Sequence, residues 1–128
     1  MKLLIVDDSL IVRNVIERNA KHAQILEIHQ AQNGAEAISL FIKHEPELVT
    51  MDLTMPELDG LACLKALQNC GRQVSILVIS ALNSHQTAMQ AITRGACGFL
   101  TKPFTAAELS EAIHDLVQHA EENAEVTR

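Results

Sequence analysis

The strongest constraint on the fold is a short apolar run that ends abruptly in a carboxylate. Leu48 to Met51 is four residues long, which suits a strand buried on both faces, and Asp52 follows it directly. Pro56 then prevents the chain from continuing smoothly into a helix. The run therefore predicts a central strand with Asp52 at its carboxyl end, which is the edge of an open α/β sheet where ligands bind.

Elsewhere the chain alternates between short apolar runs and stretches with helical periodicity. The apolar runs predict strands at residues 3–6, 25–31, 48–51, 75–79 and 98–101. The run at 25–31 also contains polar residues and is expected at an edge of the sheet. Five strands, each followed by a helix, predict an α/β fold: a doubly wound, five-stranded parallel sheet with helices on both faces, in the flavodoxin-like strand order 2-1-3-4-5.

Length and composition indicate one domain of ordinary size. Hydrophobic residues make up 48% of the 128 residues, which is enough for a packed core without disulfides or metal. The helical period of apolar residues is lost from Glu121 onwards. We therefore expect a domain over residues 1–122 and a frayed tail over residues 123–128.

The charge pattern argues against two classes of partner. The net charge is -6, with no basic run and neither Trp nor Tyr, which argues against direct nucleic-acid binding. The sequence has no apolar span of about 18 residues, and its apolar start is too short for a signal peptide. A cytoplasmic protein that does not insert into membranes is expected.

Cysteine and histidine show no spacing typical of a metal site. Cys63, Cys70 and Cys97 are odd in number and lack CxxC spacing, so neither a disulfide framework nor a zinc site is indicated. The six histidines are scattered, and we expect them on the surface or in satisfied positions.

Polar residues directly follow four of the predicted strands. Asp7 and Asp8 follow the first, Asp52 the third, Ser80 the fourth and Lys102 the fifth. All of them lie at the same edge of one sheet, where three crowded carboxylates repel one another unless a cation joins them. Oxygen ligands without nearby His or Cys favour a hard ion, so the pattern indicates Mg2+.

This set of side chains suits phosphoryl transfer, because that reaction chiefly needs charge neutralisation around the transferred group. Ser, Thr and Asp are all possible acceptors. Asp52 is the best placed, since a carboxylate on a central strand can attack phosphorus to give an aspartyl phosphate. Taken singly, the acids after the first strand could instead cap the first helix, Ser80 could be a strand-end hydroxyl, and Lys102 could be a solvated charge.

Together, these motifs resemble the receiver domain of two-component response regulators. The resemblance is carried by Val6-Asp7-Asp8-Ser9, Met51-Asp52-Leu53-Thr54-Met55-Pro56 with Asp59-Gly60, Ile79-Ser80-Ala81 and Gly98-Phe99-Leu100-Thr101-Lys102-Pro103-Phe104. It covers about residues 2–120 in the family's order, and Asp7-Asp8-Ser9 followed by Arg13 is most similar to chemotaxis-type receivers.

The resemblance implies roles for the acidic residues. Asp52 would accept a phosphoryl group from a histidine kinase or a His-containing phosphotransfer protein. Asp8 and Asp52 would ligate Mg2+ directly, together with the backbone carbonyl of Thr54. Asp7 would act on the ion through water. The protein would be a signalling receiver that assists its own phosphorylation and dephosphorylation, not an enzyme with an external substrate.

The resemblance also implies a conformational switch. Lys102 would contact one phosphoryl oxygen and Ser80 another, and Phe99 would turn inward as Ser80 moves. Many family members have Tyr where this chain has Phe99, and Phe lacks a hydroxyl that could fix either state. Phe99 has an equally simple interpretation as a core residue of a short strand. The family usually has a cis peptide bond at the position of Lys102-Pro103.

Two surfaces are expected to bind other proteins. The readout surface for a downstream protein target would be the fourth helix, the fifth strand and the fifth helix, including His85, Met89 and Phe99. Leu10 and Ile11 are apolar residues beside the acidic turn that the core does not need. We expect them to dock the phosphoryl donor.

Three other interpretations are open at the level of sequence. A receiver cut from a longer regulator, with its output domain absent, would carry the same motifs. A phosphohydrolase of the haloacid-dehalogenase kind would need a second acid at the position of Thr54 and a cap insertion. A flavin-binding electron carrier, which the fold alone permits, would need a Ser/Thr-rich phosphate loop after the first strand.

Overall fold

The computed structural model describes residues 1–53, 60–81 and 85–126, in which strands and helices alternate along the chain. The elements are β1 (Lys2–Val6), α1 (Leu10–Asn19), β2 (Glu27–Ala31), α2 (Gly34–His44), β3 (Leu48–Met51), α3 (Gly60–Gln68), β4 (Ser75–Ser80), α4 (His85–Thr93), β5 (Gly98–Thr101) and α5 (Ala106–Val126).

The five strands form one parallel sheet in the order β2-β1-β3-β4-β5, which confirms the predicted fold. The register pairs Val6 with Met51, and Met51 with Val78. The carboxyl ends of β1 and β3 are therefore level, so the residues that follow them lie side by side.

Two hydrophobic clusters pack on opposite faces of the sheet. Leu4 and Val6 belong to the cluster that includes side chains of α2, α3 and α4, whereas Leu3 and Ile5 pack with side chains of α1 and α5. Successive strand residues point to opposite faces, and both faces are covered. This explains why the central strands have unbroken apolar sequences.

The edge strand β2 is less buried than its neighbours, as its sequence predicts. Glu27 is exposed, and the following three residues are half-buried. The strand begins two residues later than the expected start at Ile25. The backbone N–H of Ile25 instead donates to the carbonyl of His22 in a turn, at 2.9 Å, although the Ile25 side chain joins the core.

Residues 123–126 are helical, where a frayed tail was expected. Helix α5 continues to Val126, four residues beyond the predicted limit at residue 122. Glu and Ala are strong helix formers, and the side-chain amide of Asn123 lies 3.3 Å from Nδ1 of His119 one turn earlier. The domain limits of 1–122 stay a prediction. Within the described part of the chain, every helix is too short or too polar to cross a bilayer.

Candidate functional site

Asp7 and Asp52 are placed by an extension of the sheet beyond its assigned strands. The backbone N–H of Asp7 donates to the carbonyl of Ala31 at 3.1 Å, and that of Asp52 donates to the carbonyl of Val6 at 3.0 Å. Each acid follows the last residue of its strand, yet the ladder still fixes its backbone. The two side chains are 1% and 2% exposed, so both carboxylates are buried at the carboxyl edge of the sheet.

Lys102 connects these two carboxylates. Its Nζ donates to Oδ2 of Asp7 at 2.7 Å and to Oδ2 of Asp52 at 3.1 Å. The backbone N–H of Lys102 donates to the carbonyl of Ser80 at 2.9 Å, which ties the end of β5 to the end of β4. The peptide bond from Lys102 to Pro103 is cis, as the resemblance implies.

Burial and charge act against each other at this site. Burial raises the pKa of Asp7 above its ordinary value of 3.8, against the lowering effect of the Lys102 hydrogen bond. Burial alone would lower the pKa of Lys102, but its hydrogen bond and charge interaction with Asp7, together with Asp52, raise it. One ammonium group faces two buried carboxylates, so the site attracts a further positive charge.

Asp8 completes a group of acids that could hold a metal ion. One carboxylate oxygen from each of Asp7, Asp8 and Asp52 lies within 4.8 Å of the others, and Asp8 is exposed while its two partners are buried. All of these ligand atoms are carboxylate oxygens, which fits Mg2+ and gives no preference to a softer ion. The fourth predicted ligand, Thr54, lies outside the described residues.

Arg13 supports the turn that carries the acids, a role that the sequence did not reveal. Its side chain is buried on α1, where its Nη1 donates to the backbone carbonyl of Asp7 at 2.7 Å. Its Nε donates to Oε1 of Gln30 on β2 at 3.0 Å. The available signal was its spacing of three from Ile16, which puts a guanidinium on the buried face of the helix.

Ser80 and Phe99 occupy the positions that their strands predict. Ser80 is the last residue of β4 and is fully buried. Phe99 pairs with Val78 in the register and is half-buried against the cluster on the α2, α3 and α4 face. It also lines a cavity of about 160 Å³ together with Leu77 and side chains of α5.

Of the residues predicted to bind other proteins, Leu10, Ile11 and Met89 are exposed, whereas Phe99 is half-buried. Leu10 and Ile11 are 58% and 77% exposed at the start of α1, directly after the acidic turn. Ser9 caps this helix with its side-chain oxygen, which accepts from the N–H of Val12 at 3.3 Å. Met89 is 52% exposed on α4. The side chain of His85, at the start of that helix, lies outside the described part.

Comparison with known proteins gives one consistent family. Residues 3–114 match the model of the response regulator receiver domain. The chemotaxis protein CheY of Bacillus subtilis (strain 168) is 38% identical over 113 residues, which cover 88% of this chain and 94% of that protein.

Solved structures agree with this match. A response regulator signal receiver domain from Bermanella marisrubri is 40% identical, with a TM-score of 0.79 over 91% of this chain and 97% of the other. A CheX-CheY-BeF3-Mg complex from Borrelia burgdorferi gives 27% identity and a TM-score of 0.81, covering 91% of this chain and 89% of the other.

Proposed function

The chain belongs to the response regulator receiver domain family, and we propose that it is a signalling switch activated by phosphorylation of Asp52. One observation carries this proposal above the others. The Asp52 carboxylate is buried at the end of the central strand, where Lys102 contacts it and two further acids lie within reach of one cation. A group of carboxylates that only bound a metal ion would not need a lysine between them.

Asp52 acts as the nucleophile in the proposed reaction. An Oδ atom of Asp52 attacks the phosphorus of a phosphohistidine, a bond from that oxygen to phosphorus forms, and the phosphorus–nitrogen bond breaks. The electron pair of the broken bond stays on the imidazole of the donor, which is a histidine kinase or a His-containing phosphotransfer protein. Asp8, Asp52 and the carbonyl of Thr54 would hold Mg2+, which would supply charge neutralisation for the transferred group.

Lys102 changes partner during this reaction. Its ammonium lies 3.1 Å from an oxygen of Asp52 and 2.7 Å from one of Asp7, so a short movement brings it to an oxygen of the new phosphoryl group. The buried hydroxyl of Ser80, at the end of the neighbouring strand β4, donates a hydrogen bond to a second phosphoryl oxygen. Asp7 would help to hold Mg2+ through a water molecule.

The phosphoryl group shifts the population between two states of the readout surface. It replaces the single negative charge of the Asp52 carboxylate by about two, which favours the state that brings Ser80 and Lys102 inward. Phe99 then turns from its half-buried position towards the interior. The readout surface is formed by α4, β5 and α5, with Met89 exposed on it, and binds a downstream protein target.

The donor docks on a different surface, at the start of α1. Leu10 and Ile11 present exposed apolar area directly beside the turn that carries Asp7 and Asp8. Apolar area next to the acceptor lets a helical donor protein bury surface while it presents its phosphohistidine. We place this exchange in the cytoplasm, without nucleic acid or membrane as a direct partner.

Intact mass measurement after incubation with acetyl phosphate tests the acceptor. We expect a gain of one phosphoryl group that depends on Mg2+ and disappears in Asp52→Ala. Asp115→Ala is the matched control, because it removes an exposed carboxylate on α5, and it should take up the group like the unchanged protein. Equal uptake by Asp52→Ala would overturn the assignment of the acceptor.

A second experiment separates donor docking from the chemistry. Ile11→Glu should slow transfer from a phosphorylated histidine phosphotransfer protein while leaving uptake from acetyl phosphate unchanged. Leu26→Glu is the matched control, since Leu26 is 84% exposed but lies before β2, away from the acidic turn. Equal slowing with both phosphodonors would reject the docking surface.

A further inference from the structure

A second group of ligand atoms lies where the edge strand β2 meets the end of helix α2. Glu27 and His29 are two residues apart on β2 and therefore share one face of the sheet. His44 is the last residue of α2, which packs on that face. One carboxylate oxygen of Glu27 and one ring nitrogen from each histidine lie within 4.8 Å of one another.

The position of His44 is fixed by the way α2 ends. Glu45 adopts a left-handed backbone conformation with a φ of 51°, and its N–H donates to the carbonyl of Phe41 at 3.0 Å. Pro46 follows and prevents the helix from continuing. The helix therefore stops with the His44 imidazole stacked on that of His29, at 3.7 Å between ring centroids and 15° between planes.

This group is separate from the acidic site. Glu27 pairs with Lys2, the first residue of β1, whereas Ala31 pairs with Val6, the last. Four residues of strand, or about 13 Å, separate these two levels of the sheet. The cluster thus lies towards the amino edge and the acids at the carboxyl edge, so one ion cannot serve both.

We propose that Glu27, His29 and His44 bind one divalent metal ion of the Zn2+ class. One carboxylate oxygen and two imidazole nitrogens form a common set of three protein ligands for Zn2+, with a fourth position open to water. Imidazole suits Zn2+, Cu2+ and Ni2+ but not Mg2+, which prefers oxygen ligands. The two ends of the sheet would therefore select different ions.

The side chains are already close to the required geometry. Nε2 of His29 lies 2.8 Å from Oε2 of Glu27. Ligand atoms around a tetrahedral Zn2+ are about 3.3–3.5 Å apart, given bond lengths of about 2.0–2.2 Å. No separation in the cluster exceeds 4.8 Å, so none has to shrink by more than about 1.5 Å, and the stacked rings have to tilt. The exposed Glu27 and the half-buried imidazoles have room for these rotations.

A ligating imidazole nitrogen carries no hydrogen, and a ligating carboxylate is ionised. The proton between Nε2 of His29 and Oε2 of Glu27 therefore has to leave when an ion binds there.

Lys2 is the group that opposes a cation at this site. Its Nζ lies 3.8 Å from Oε2 of Glu27 and donates to the backbone carbonyl of His44 at 3.1 Å. A metal ion would share Glu27 with this ammonium and feel its repulsion. Removing the charge with Lys2→Met should therefore tighten Zn2+ binding, whereas a site elsewhere on the protein would not respond.

Isothermal titration of the untagged protein with ZnCl2, in excess MgCl2 to fill the acidic site, tests the proposal. We expect one Zn2+ per chain. Loss of an outer-shell partner commonly costs about 10–100-fold in metal affinity, so loss of a direct ligand in His29→Gln or His44→Gln should weaken binding by at least ~100-fold. His44→Cys supplies a thiolate in place of the imidazole and should keep the binding, which separates ligation from helix stability.

Two matched controls remove other metal-binding groups. His114→Gln removes a histidine whose Nδ1 lies 3.4 Å from Nε2 of His22, a second imidazole pair on the surface. Cys70→Ser removes the exposed thiol. Both variants should bind Zn2+ like the unchanged protein. The proposal is overturned if the unchanged protein takes up no Zn2+, if either control loses it, or if His29→Gln and His44→Gln retain it.

Discussion

The acidic cluster at the carboxyl edge of the sheet and the Glu27–His29–His44 cluster at its amino edge both place a lysine beside a carboxylate, but in opposite surroundings. Lys102 is 19% exposed and lies 2.7 Å and 3.1 Å from carboxylates that are almost completely buried. Lys2 is 44% exposed and lies 3.8 Å from a Glu27 side chain that is 47% exposed. Water screens the second pair and largely leaves the first unscreened.

The two clusters also differ in what holds their ligand atoms. The backbone of Asp7 and Asp52 continues the sheet ladder, so each carboxylate starts from a fixed point. Glu27 and His29 also have their backbone in the sheet, but the side chains of this cluster are exposed or half-buried and contact mainly one another. A site with buried charges suits a reaction that demands precise alignment, whereas exposed and half-buried side chains have room to rotate towards an ion.

Replacing each lysine by methionine should give the largest contrast between the clusters. In Mg2+-free buffer at pH 7, Lys102→Met leaves two buried carboxylates without their cation and should lower the free energy of unfolding by roughly 3 kcal/mol. Lys2→Met, the matched control, should cost less than about 1 kcal/mol, as for other exposed pairs. Urea denaturation followed by circular dichroism measures both values.

The loss in Lys102→Met should depend on pH in a defined direction. Because burial raises the pKa of Asp7, its ionised form is the unfavourable one in the folded protein. Loss of Lys102, whose hydrogen bond lowers the pKa of Asp7, raises this pKa further. The cost of removing the ammonium is therefore fully present above the pKa of Asp7 in the variant and shrinks as the pH falls towards its pKa in the unchanged protein. If both lysine variants lose the same free energy of unfolding, or if the loss in Lys102→Met does not depend on pH, the proposed difference in burial between the clusters is wrong.

Arg13 gives a smaller test of how firmly the acidic turn is held. Arg13→Met removes the donor that contacts the carbonyl of Asp7 at 2.7 Å and should destabilise the protein by roughly 2 kcal/mol, as for a hydrogen bond to a charged group. Arg18→Met, an exposed arginine on the same helix, should cost less than about 1 kcal/mol. Similar midpoints of thermal unfolding for the two variants would show that Arg13 contributes little to the turn.

Selectivity for metal ions gives a third contrast. Asp8→Asn removes one charge from the acidic cluster and should weaken Mg2+ binding by about tenfold or more. Glu27→Gln removes a charge from the other cluster and should leave Mg2+ binding unchanged, because Glu27 lies about 13 Å from the acidic cluster and its two imidazole neighbours do not favour Mg2+. Titration with MgCl2, monitored by amide chemical shifts, measures both affinities. A weaker response to Mg2+ in Glu27→Gln would mean that the two clusters do not select different ions.

These two clusters also show what sequence could predict. The order of the strands and the approach of Asp7, Asp52 and Lys102 follow from apolar runs that end in polar residues, a pattern readable along the chain. The contact between His29 and His44 depends on where α2 stops and how it crosses the edge strand. Residues 15 positions apart in different elements share no local period, so the expectation of scattered histidines without metal spacing missed the approach of His29 and His44.

Contacts between distant parts of the chain also explain why the burial of Arg13 could not be predicted from sequence. The spacing of Val12, Val15 and Ile16 favours an inward helix face. Ile16 is fully buried and the two valines are half-buried against the core, while Arg13 is buried beside them. An arginine side chain on a helix is normally expected to be exposed to solvent. It is buried here because the backbone carbonyl of Asp7 and the side chain of Gln30 accept its hydrogen bonds, and both partners come from other parts of the chain.

The smallest expected effect is the change in the titration of Glu27 when its imidazole partner is removed. In the folded protein the pKa of Glu27 lies below its ordinary value of 4.5, chiefly because His29 donates a hydrogen bond to it. This contact stabilises the fold at pH values above 4.5 and is lost as the pH falls through the lowered pKa.

In His29→Gln the titration midpoint of Glu27 should therefore move upward, as measured from its side-chain carboxyl carbon by NMR in buffer containing a chelator. His114→Gln, on the opposite face of the sheet, should leave the midpoint in place. If the midpoint stays low in His29→Gln, Lys2 is the main partner of Glu27, and the cluster at the amino edge would be an ordinary surface ion pair with a histidine beside it.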